Sequence, residues 1–217
     1  MSFKKDFVWG SATASYQIEG AAFEDGKGWN IWDVFTHEGG HVYGNHTGDV
    51  ACDHYHRFKE DIKLMKELGM KAYRFSVNWA RIMPTGEGEV NEKGIAFYNE
   101  LIDELLANGI EPYLTLYHWE LPYDLYKQGG FLNPKIADWF YDYASVIAER
   151  FSDRVKHFFT LNEPQCIIGL GYLSGEQAPG LKTGKKDIFQ MIYNLLRAHG
   201  KCVSALREKS VQPVKIG

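Results

Sequence analysis

Val155-Lys156-His157-Phe158-Phe159-Thr160-Leu161-Asn162-Glu163-Pro164 is the stretch on which the reading of this chain turns. Its first six residues are largely β-branched or aromatic, which suits a buried strand. An amide and a carboxyl group follow directly, and then a proline. Placing a carboxylate at the end of an apolar strand costs desolvation free energy unless something compensates for it. Two readings are open at this point. In α/β barrels the working residues stand at the carboxyl ends of strands; alternatively, Asn-Glu-Pro is an ordinary helix N-cap or the site of a salt bridge.

Outward from that stretch, strand-like and helix-like patterns alternate. Phe7-Val8-Trp9-Gly10 reads as a short first strand, followed by a Gly- and His-rich excursion over about residues 20–53. Residues 57–68 carry Phe58, Ile62, Met65 and Leu68 at helical spacing, with Gly69 as the stop. Residues 72–77 form strand two. A helix is predicted over 91–107, with Ile95, Tyr98, Leu101, Ile102, Leu105 and Leu106 on its buried side and Gly109 closing it. Strand three covers 110–117, and a helix with proline near its first turn covers 134–151. After Glu163, residues 187–208 read as the next helix, and Val214-Lys215-Ile216-Gly217 as the opening of a fifth strand.

Strands joined by crossover helices run parallel. Their near-continuous apolar runs imply cover on both sides, as in a barrel or a doubly wound sheet. No Gly-x-Gly-x-x-Gly follows the first strand, which weakens the dinucleotide-binding version. A β/α barrel needs eight strands and about 250 residues. The chain has 217 residues, so the expectation is an α/β fold: the N-terminal half of a (β/α)8 TIM barrel, with about four βα units plus the start of a fifth strand. Residues 1–217 then make one incomplete catalytic domain.

Composition narrows the partners. A net charge of −4 and a pI near 6.1 suggest neither nucleic acid nor an anionic membrane. The aromatic content (Trp 6, Tyr 13, Phe 13) suits the stacking of sugar faces, although a large core uses aromatics too. Cys52, Cys166 and Cys202 are odd in number and unclustered, so neither a disulfide framework nor a zinc site is expected. With no apolar leader and no spanning stretch, the expected compartment is the cytoplasm. No cofactor is expected.

Each strand leads into polar or aromatic groups. Strand one runs to Ser15-Tyr16-Gln17-Ile18-Glu19; strand two carries Arg74 and Ser76 into Asn78-Trp79; strand three gives His118-Trp119-Glu120; strand four gives Asn162-Glu163. The set has no nucleophile elbow and no phosphate-cradling loop. Amide, imidazole, indole and carboxyl groups suit a polyhydroxylated ligand, because each hydroxyl both donates and accepts. His37, His41, His46, His54 and His56 fit loop packing and channel lining better than a metal site. Trp29 and Trp32 are equally readable as core or as sugar platform, and residues 182–186 as a solvated loop.

The stretch Phe7-Val8-Trp9-Gly10-Ser11-Ala12-Thr13-Ala14-Ser15-Tyr16-Gln17-Ile18-Glu19-Gly20 resembles the N-terminal signature of the family 1 glycoside hydrolases, the β-glucosidase family. Four further stretches agree, in the family's order: Gly48-Asp49-Val50-Ala51-Cys52-Asp53-His54-Tyr55-His56-Arg57, Tyr73-Arg74-Phe75-Ser76-Val77-Asn78-Trp79-Ala80-Arg81-Ile82, Tyr117-His118-Trp119-Glu120-Leu121-Pro122 and Thr160-Leu161-Asn162-Glu163-Pro164. The resemblance implies hydrolysis of terminal β-D-glycosidic bonds in a β-glucoside or short β-linked oligosaccharide by a retaining two-step mechanism. Glu163 matches the general acid/base, for which a raised pKa from an apolar site and a neighbouring carboxylate is expected. Asn162 matches the partner of the sugar 2-hydroxyl. Gln17 and His118 match the residues holding the 3- and 4-hydroxyls, with Trp119 beside them. Arg74 matches an arginine that orients the nucleophile and keeps it ionised; a plain core-facing salt bridge is its blander reading.

In the family the nucleophile is a second glutamate on a later strand, past Gly217. Gln165 stands where tryptophan is usual after Asn-Glu-Pro, and Glu120 where aspartate is common after His-Trp. The first departure bears on the leaving-group side, and the second keeps the acid. The isolated chain is therefore expected to be inactive, or to self-associate, or to need its complementary C-terminal half. A non-catalytic sugar binder and a 6-phospho-β-glycosidase are the rival readings.

Overall fold

The computed structural model describes residues 3–217. Five strands make a single, wholly parallel sheet in the order β1 (Gly10–Ala12), β2 (Ala72–Ser76), β3 (Glu111–Tyr117), β4 (His157–Leu161) and β5 (Lys215–Ile216). The crossovers contain the helices α1 (His54–Glu67), α2 (Glu92–Ala107), α3 (Ile136–Phe151) and α4 (Lys185–Lys209). Every strand pairs with the next one in the chain, so the winding never reverses. A doubly wound sheet has a switch point where strand order turns back; this one has none, and the architecture is an N-terminal half-barrel.

The helices form for the reasons their sequences suggest. Asn91 caps α2 by accepting the Lys93 N–H at 3.3 Å, and Ile95, Tyr98, Leu101, Ile102 and Leu105 are buried along one stripe. Leu106 falls just outside that stripe and is 37% exposed, against expectation. Leu68 caps α1 and is likewise exposed. Helices α3 and α4 pack together with the small residues Ala144, Ala148, Ala198, Cys202 and Ala205 buried on them, which allows close approach.

Two expectations are corrected. The first strand begins at Gly10 rather than spanning residues 7–10. The rings of Phe3, Phe7 and Trp9 pack on one another with centroids 4.6–4.7 Å apart and stay largely exposed, so an aromatic knot imitates a strand. Pairing starts where the Trp9 carbonyl accepts the Lys71 N–H, and a Cβ at position 10 would lie 2.7 Å from the Ala72 carbonyl oxygen. The two faces of the sheet are also covered unequally, the second only in part, with Ser76 and Thr115 buried there beneath their neighbours. Tyr73, Phe75, Leu114, Leu116 and Phe158 are buried, whereas Arg74, Tyr113, His157, Phe159 and Leu161 alternate with them, half-buried. On that second face Tyr113 stacks on His157 at 4.1 Å and the Arg74 guanidinium lies 4.8 Å over Phe159.

The excursion between β1 and α1 contains a helix, Ile31–His37, that the periodicity did not announce. Its start is a capping box: Asn30 Oδ1 accepts the N–H of Trp32 and Asp33, and Asp33 Oδ2 accepts the Asn30 N–H. The same excursion is tied to the barrel by a buried ion pair. Arg81 Nε donates to Glu19 Oε2 at 3.0 Å, Tyr98 Oη donates to Glu19 Oε1 at 2.5 Å, and the paired side chains are only 1% and 5% exposed.

Breaking one side of that pair leaves a buried charge alone. Arg81→Met is expected to lower the unfolding free energy by about 3–5 kcal/mol in chemical denaturation. The double change Arg81→Met with Glu19→Met is expected to recover most of the loss, and a single-variant cost under about 1 kcal/mol would contradict this reading.

Candidate functional site

Because the strands are parallel and paired in sequence, their carboxyl ends share one edge of the sheet. Gln17 sits on the short helix Ser15–Ile18 after β1, Arg74 within β2, His118 and Trp119 just past β3, and Asn162 and Glu163 just past β4. The ladder holds this edge in register: the Asn162 N–H donates to the Tyr117 carbonyl at 2.9 Å and the Val77 N–H to the Thr115 carbonyl at 3.0 Å.

Asn162 is the junction. It is 8% exposed, and its Oδ1 accepts from Arg74 Nη2 at 2.9 Å while its Nδ2 lies 3.0 Å from His118 Nε2. Arginine only donates, which fixes the amide orientation and makes Nδ2 the donor to His118. Burial, followed by the nearby Arg74 charge, pulls the His118 imidazole down to about 4. At neutral pH it is therefore uncharged and can accept at Nε2, leaving Nδ1–H buried without a partner. Trp119 Nε1 donates to the Asn162 carbonyl at 2.9 Å, and Arg74 Nε donates to Thr115 Oγ1 at 2.8 Å. Two of the five guanidinium donors are thus used on this floor. Burial lowers the Arg74 pKa while the Glu163 carboxylate opposes the shift, so these two charges lie within electrostatic reach.

In front of this floor lies a cavity of about 380 Å³ lined by Tyr16, Gln17, Trp32, His118, Trp119 and Gln177, among others. It gathers three of the sequence-selected residues, Gln17, His118 and Trp119, on shared walls. Asn162 and Arg74 are joined to it through His118. Glu163 follows Asn162 but is exposed and outside the cavity wall, so this half does not supply the apolar enclosure expected around it. Trp119 (φ 88°) and Glu163 (φ 44°) both have left-handed backbones, which cost about 1–3 kcal/mol each in a residue with a side chain.

Several strand-end groups turn inward instead. Glu19 belongs to the Arg81 pair. Ser76 Oγ accepts the Ser15 N–H at 2.8 Å, the Asn78 N–H donates to Tyr98 Oη, and Trp79 stacks on Tyr143 at 4.8 Å. Glu120 is buried and accepts from Ser15 and Tyr16. Trp32 resolves as cavity lining; Trp29 is 44% exposed and packs on Phe23 and His37. Histidines at helix ends face carboxylates: His37 with Asp49, His54 with Asp61, and His56 with Asp53 and Glu24. His46, read from the sequence as channel lining, is in the cavity wall, whereas Thr36, Thr47 and Gln177, which also line it, were not singled out. Thr36 lies on the short helix Ile31–His37 and the other two in loops, and no local signal marks them.

A sheet wound in one direction, with a floor of guanidinium, amide and imidazole and a wall of indole and carboxamide at its strand ends, is a β/α half-barrel whose rim suits a polyhydroxylated ligand. The chain belongs to glycosyl hydrolase family 1, whose family model matches residues 1–217. It is 53% identical, over 99% of its length, to a 1,4-β-D-glucan glucohydrolase of Thermotoga neapolitana, of which it covers 50%. It is 50% identical to an aryl-phospho-β-D-glucosidase of Bacillus subtilis, covering 95% of this chain and 43% of that protein. A solved β-glucosidase from Thermotoga maritima in complex with castanospermine superposes with a TM-score of 0.96 at 52% identity, over 99% of this chain and 48% of that one. The chain thus spans about half the length of these relatives. Among the described residues, no helix is long and apolar enough to cross a membrane.

Two groups of the site impose opposite pH dependences on folding. Burial, with Glu19 adding to it, pushes the Glu120 carboxyl up to about 7 against the hydrogen bonds from Ser15 and Tyr16. A raised carboxyl favours the folded state at low pH, and this contribution is lost as pH rises from 4.5 to about 7. The lowered His118 contributes stability that is lost as pH falls from 6.5 to about 4. The two slopes nearly cancel where the windows overlap. Glu120→Gln is expected to remove the first, so the difference in unfolding free energy, variant minus wild type, should rise with pH between 4.5 and about 7 in denaturation series. A flat difference across that window would contradict the assignment.

Proposed function

We propose that this chain is the N-terminal half of the catalytic domain of a retaining β-glycosidase of the β-glucosidase type. The single observation that carries the reading is the Arg74–Asn162–His118 hydrogen-bonded floor beneath a cavity shared by Gln17, His118 and Trp119. The ligand is a β-glucoside or a short β-linked oligosaccharide.

In this reading Gln17 and His118 hold the 3- and 4-hydroxyls of the terminal sugar, with Trp119 against the ring. Neutral His118, whose Nε2 is occupied by the Asn162 amide, has its Nδ1–H left to donate to a hydroxyl. Asn162 takes the 2-hydroxyl, a contact that strengthens as the ring gains oxocarbenium character. Glu163 protonates the departing glycosidic oxygen and then takes a proton from the incoming water. Retention needs a second carboxyl group about 5 Å away as nucleophile. We place it on the second half-barrel, where the unused Arg74 donors orient it and keep it ionised. Enclosure of Glu163 comes from the same half. A 6-phosphorylated glucoside is the second reading, favoured by the 50% identity to the aryl-phospho-β-D-glucosidase; preference between p-nitrophenyl β-glucoside and its 6-phosphate separates the two.

The acid/base role has a direct test in the full barrel containing this half. Glu163→Ala is expected to reduce hydrolysis of glucosides with poor leaving groups by at least about 10³-fold, and azide is expected to rescue those with good leaving groups. Absence of rescue removes Glu163 from this role.

The isolated half is expected to be inactive. Its half-buried sheet face and its β1 and β5 edges favour pairing with a complementary half or a second copy. Sedimentation should show self-association, and addition of the complementary half should restore β-glucosidase activity. A stable, compact monomer would contradict the pairing, and hydrolysis by that monomer would contradict the division of the active site.

A further inference from the structure

Glu120 stands one residue past His118 and Trp119, yet its side chain turns away from the cavity and is 1% exposed. Its Oε1 accepts the Ser15 hydroxyl and the Tyr16 N–H, the latter at 2.9 Å. Ser15 and Tyr16 open the four-residue turn of helix that carries Gln17. Ala14, at the head of that turn, supplies no side-chain cap, so the acceptor comes from another strand end, 104 residues along the chain. Among the described residues, these two hydrogen bonds are the ones that join the turn to the end of β3.

We propose that Glu120 is a positioning residue: by tying the Ser15–Tyr16 turn to the end of β3, it sets the span between Gln17 on one wall and His118 and Trp119 on the other, so that one sugar ring meets all three. The inference rests on the β-glycosidase reading of this cavity.

Two further observations support it. Burying a carboxyl group is expensive without a cation beside it, and among the described residues no lysine, arginine or histidine forms an ion pair with Glu120. An apolar residue would fill the volume more cheaply, and what it would lack is the double acceptor for the turn. Trp119, directly before Glu120, holds the left-handed backbone at φ 88°. Such a conformation persists only when its surroundings over-determine it. Here the indole is held by the Asn162 carbonyl on one side, and the next residue is anchored by Ser15 and Tyr16 on the other. The Trp119 ring keeps its own tie to the Asn162 carbonyl, while the anchor places Gln17, whose exposed side chain takes its position from the backbone of the turn.

The test is a double-mutant cycle in the full barrel containing this half, with p-nitrophenyl β-D-glucoside as substrate. Glu120→Ala is expected to lower kcat/KM about 30-fold per folded active site, as is Gln17→Ala. If Glu120 acts through Gln17, the double variant should lie within about 3-fold of Gln17→Ala alone. Multiplying losses would overturn the proposal. Glu120→Gln keeps an acceptor oxygen and is expected to stay within about 5-fold of wild type. Ser15→Ala removes one bond from the opposite side, and it should give a smaller loss that likewise vanishes in the Gln17→Ala background, which keeps the test decisive if Glu120→Ala fails to fold. A readout independent of turnover uses this chain alone: amide exchange at Tyr16 should accelerate at least about 10-fold in Glu120→Ala or Ser15→Ala while Leu114 and Phe158 stay unchanged. Unchanged exchange at Tyr16 overturns the joint itself. A wild-type barrel that leaves the glucoside intact while Tyr16 responds as expected refutes the glycosidase reading instead.

Discussion

The amide of Asn162 is the constraint around which the strand ends are built. One end of it accepts from Arg74 in β2, the other donates to His118 past β3, and the backbone carbonyl of the same residue accepts the Trp119 indole. Aspartate would have no proton for His118, and leucine would leave Arg74 without its acceptor. Three strands must therefore end in register to within a residue. A slip of one position in β2 would turn Arg74 to the helix face and take the guanidinium from the Asn162 amide. The ladders Phe75↔Leu114 and Leu114↔Phe158 supply that precision from the buried side, where large apolar residues have one face to occupy. Packing on the helix side thus fixes chemistry on the other.

Strand and helix order were legible in the chain because period and punctuation agree: the stripe of α2 ends at Gly109, and α3 opens just after Pro134. The start of β1 was not, since Phe7, Val8 and Trp9 have strand-forming character but spend it on a cluster outside the sheet. The helix Ile31–His37 was missed although Asn30 and Asp33 hold the spacing of a capping box; its seven residues are too few for a periodic signal. Of the site, the motif around Asn162 and Glu163 could be read directly. Which strand-end groups turn inward could not. Beyond a strand's last residue the alternation of faces no longer applies, and the partners that capture Glu19 and Glu120 lie 62 and 105 residues away.

The two faces of the sheet explain another part of the mismatch. An apolar run in a parallel strand suggests cover on both sides, and β4 with Phe158, Phe159 and Leu161 fits that description. Only Phe158 is sealed by helices; Phe159 carries the Arg74 guanidinium instead, and Leu161 remains half-buried. The inner face of a barrel closes by meeting side chains from strands opposite, so apolar residues such as Phe159 and Leu161 occur there without being covered by this half. A hydropathy pattern cannot separate the two kinds of apolar position.

The left-handed backbones of Trp119 and Glu163 have a consequence for how such a chain could change over generations. At both positions a glycine would relax the main chain while removing the indole or the carboxyl group. At exposed Glu163 the relief comes at little packing cost, whereas at Trp119 glycine would also forfeit the bond to the Asn162 carbonyl and the ring's packing on the core. A library ranked by thermal endurance would therefore favour glycine at position 163 and keep the ring at 119.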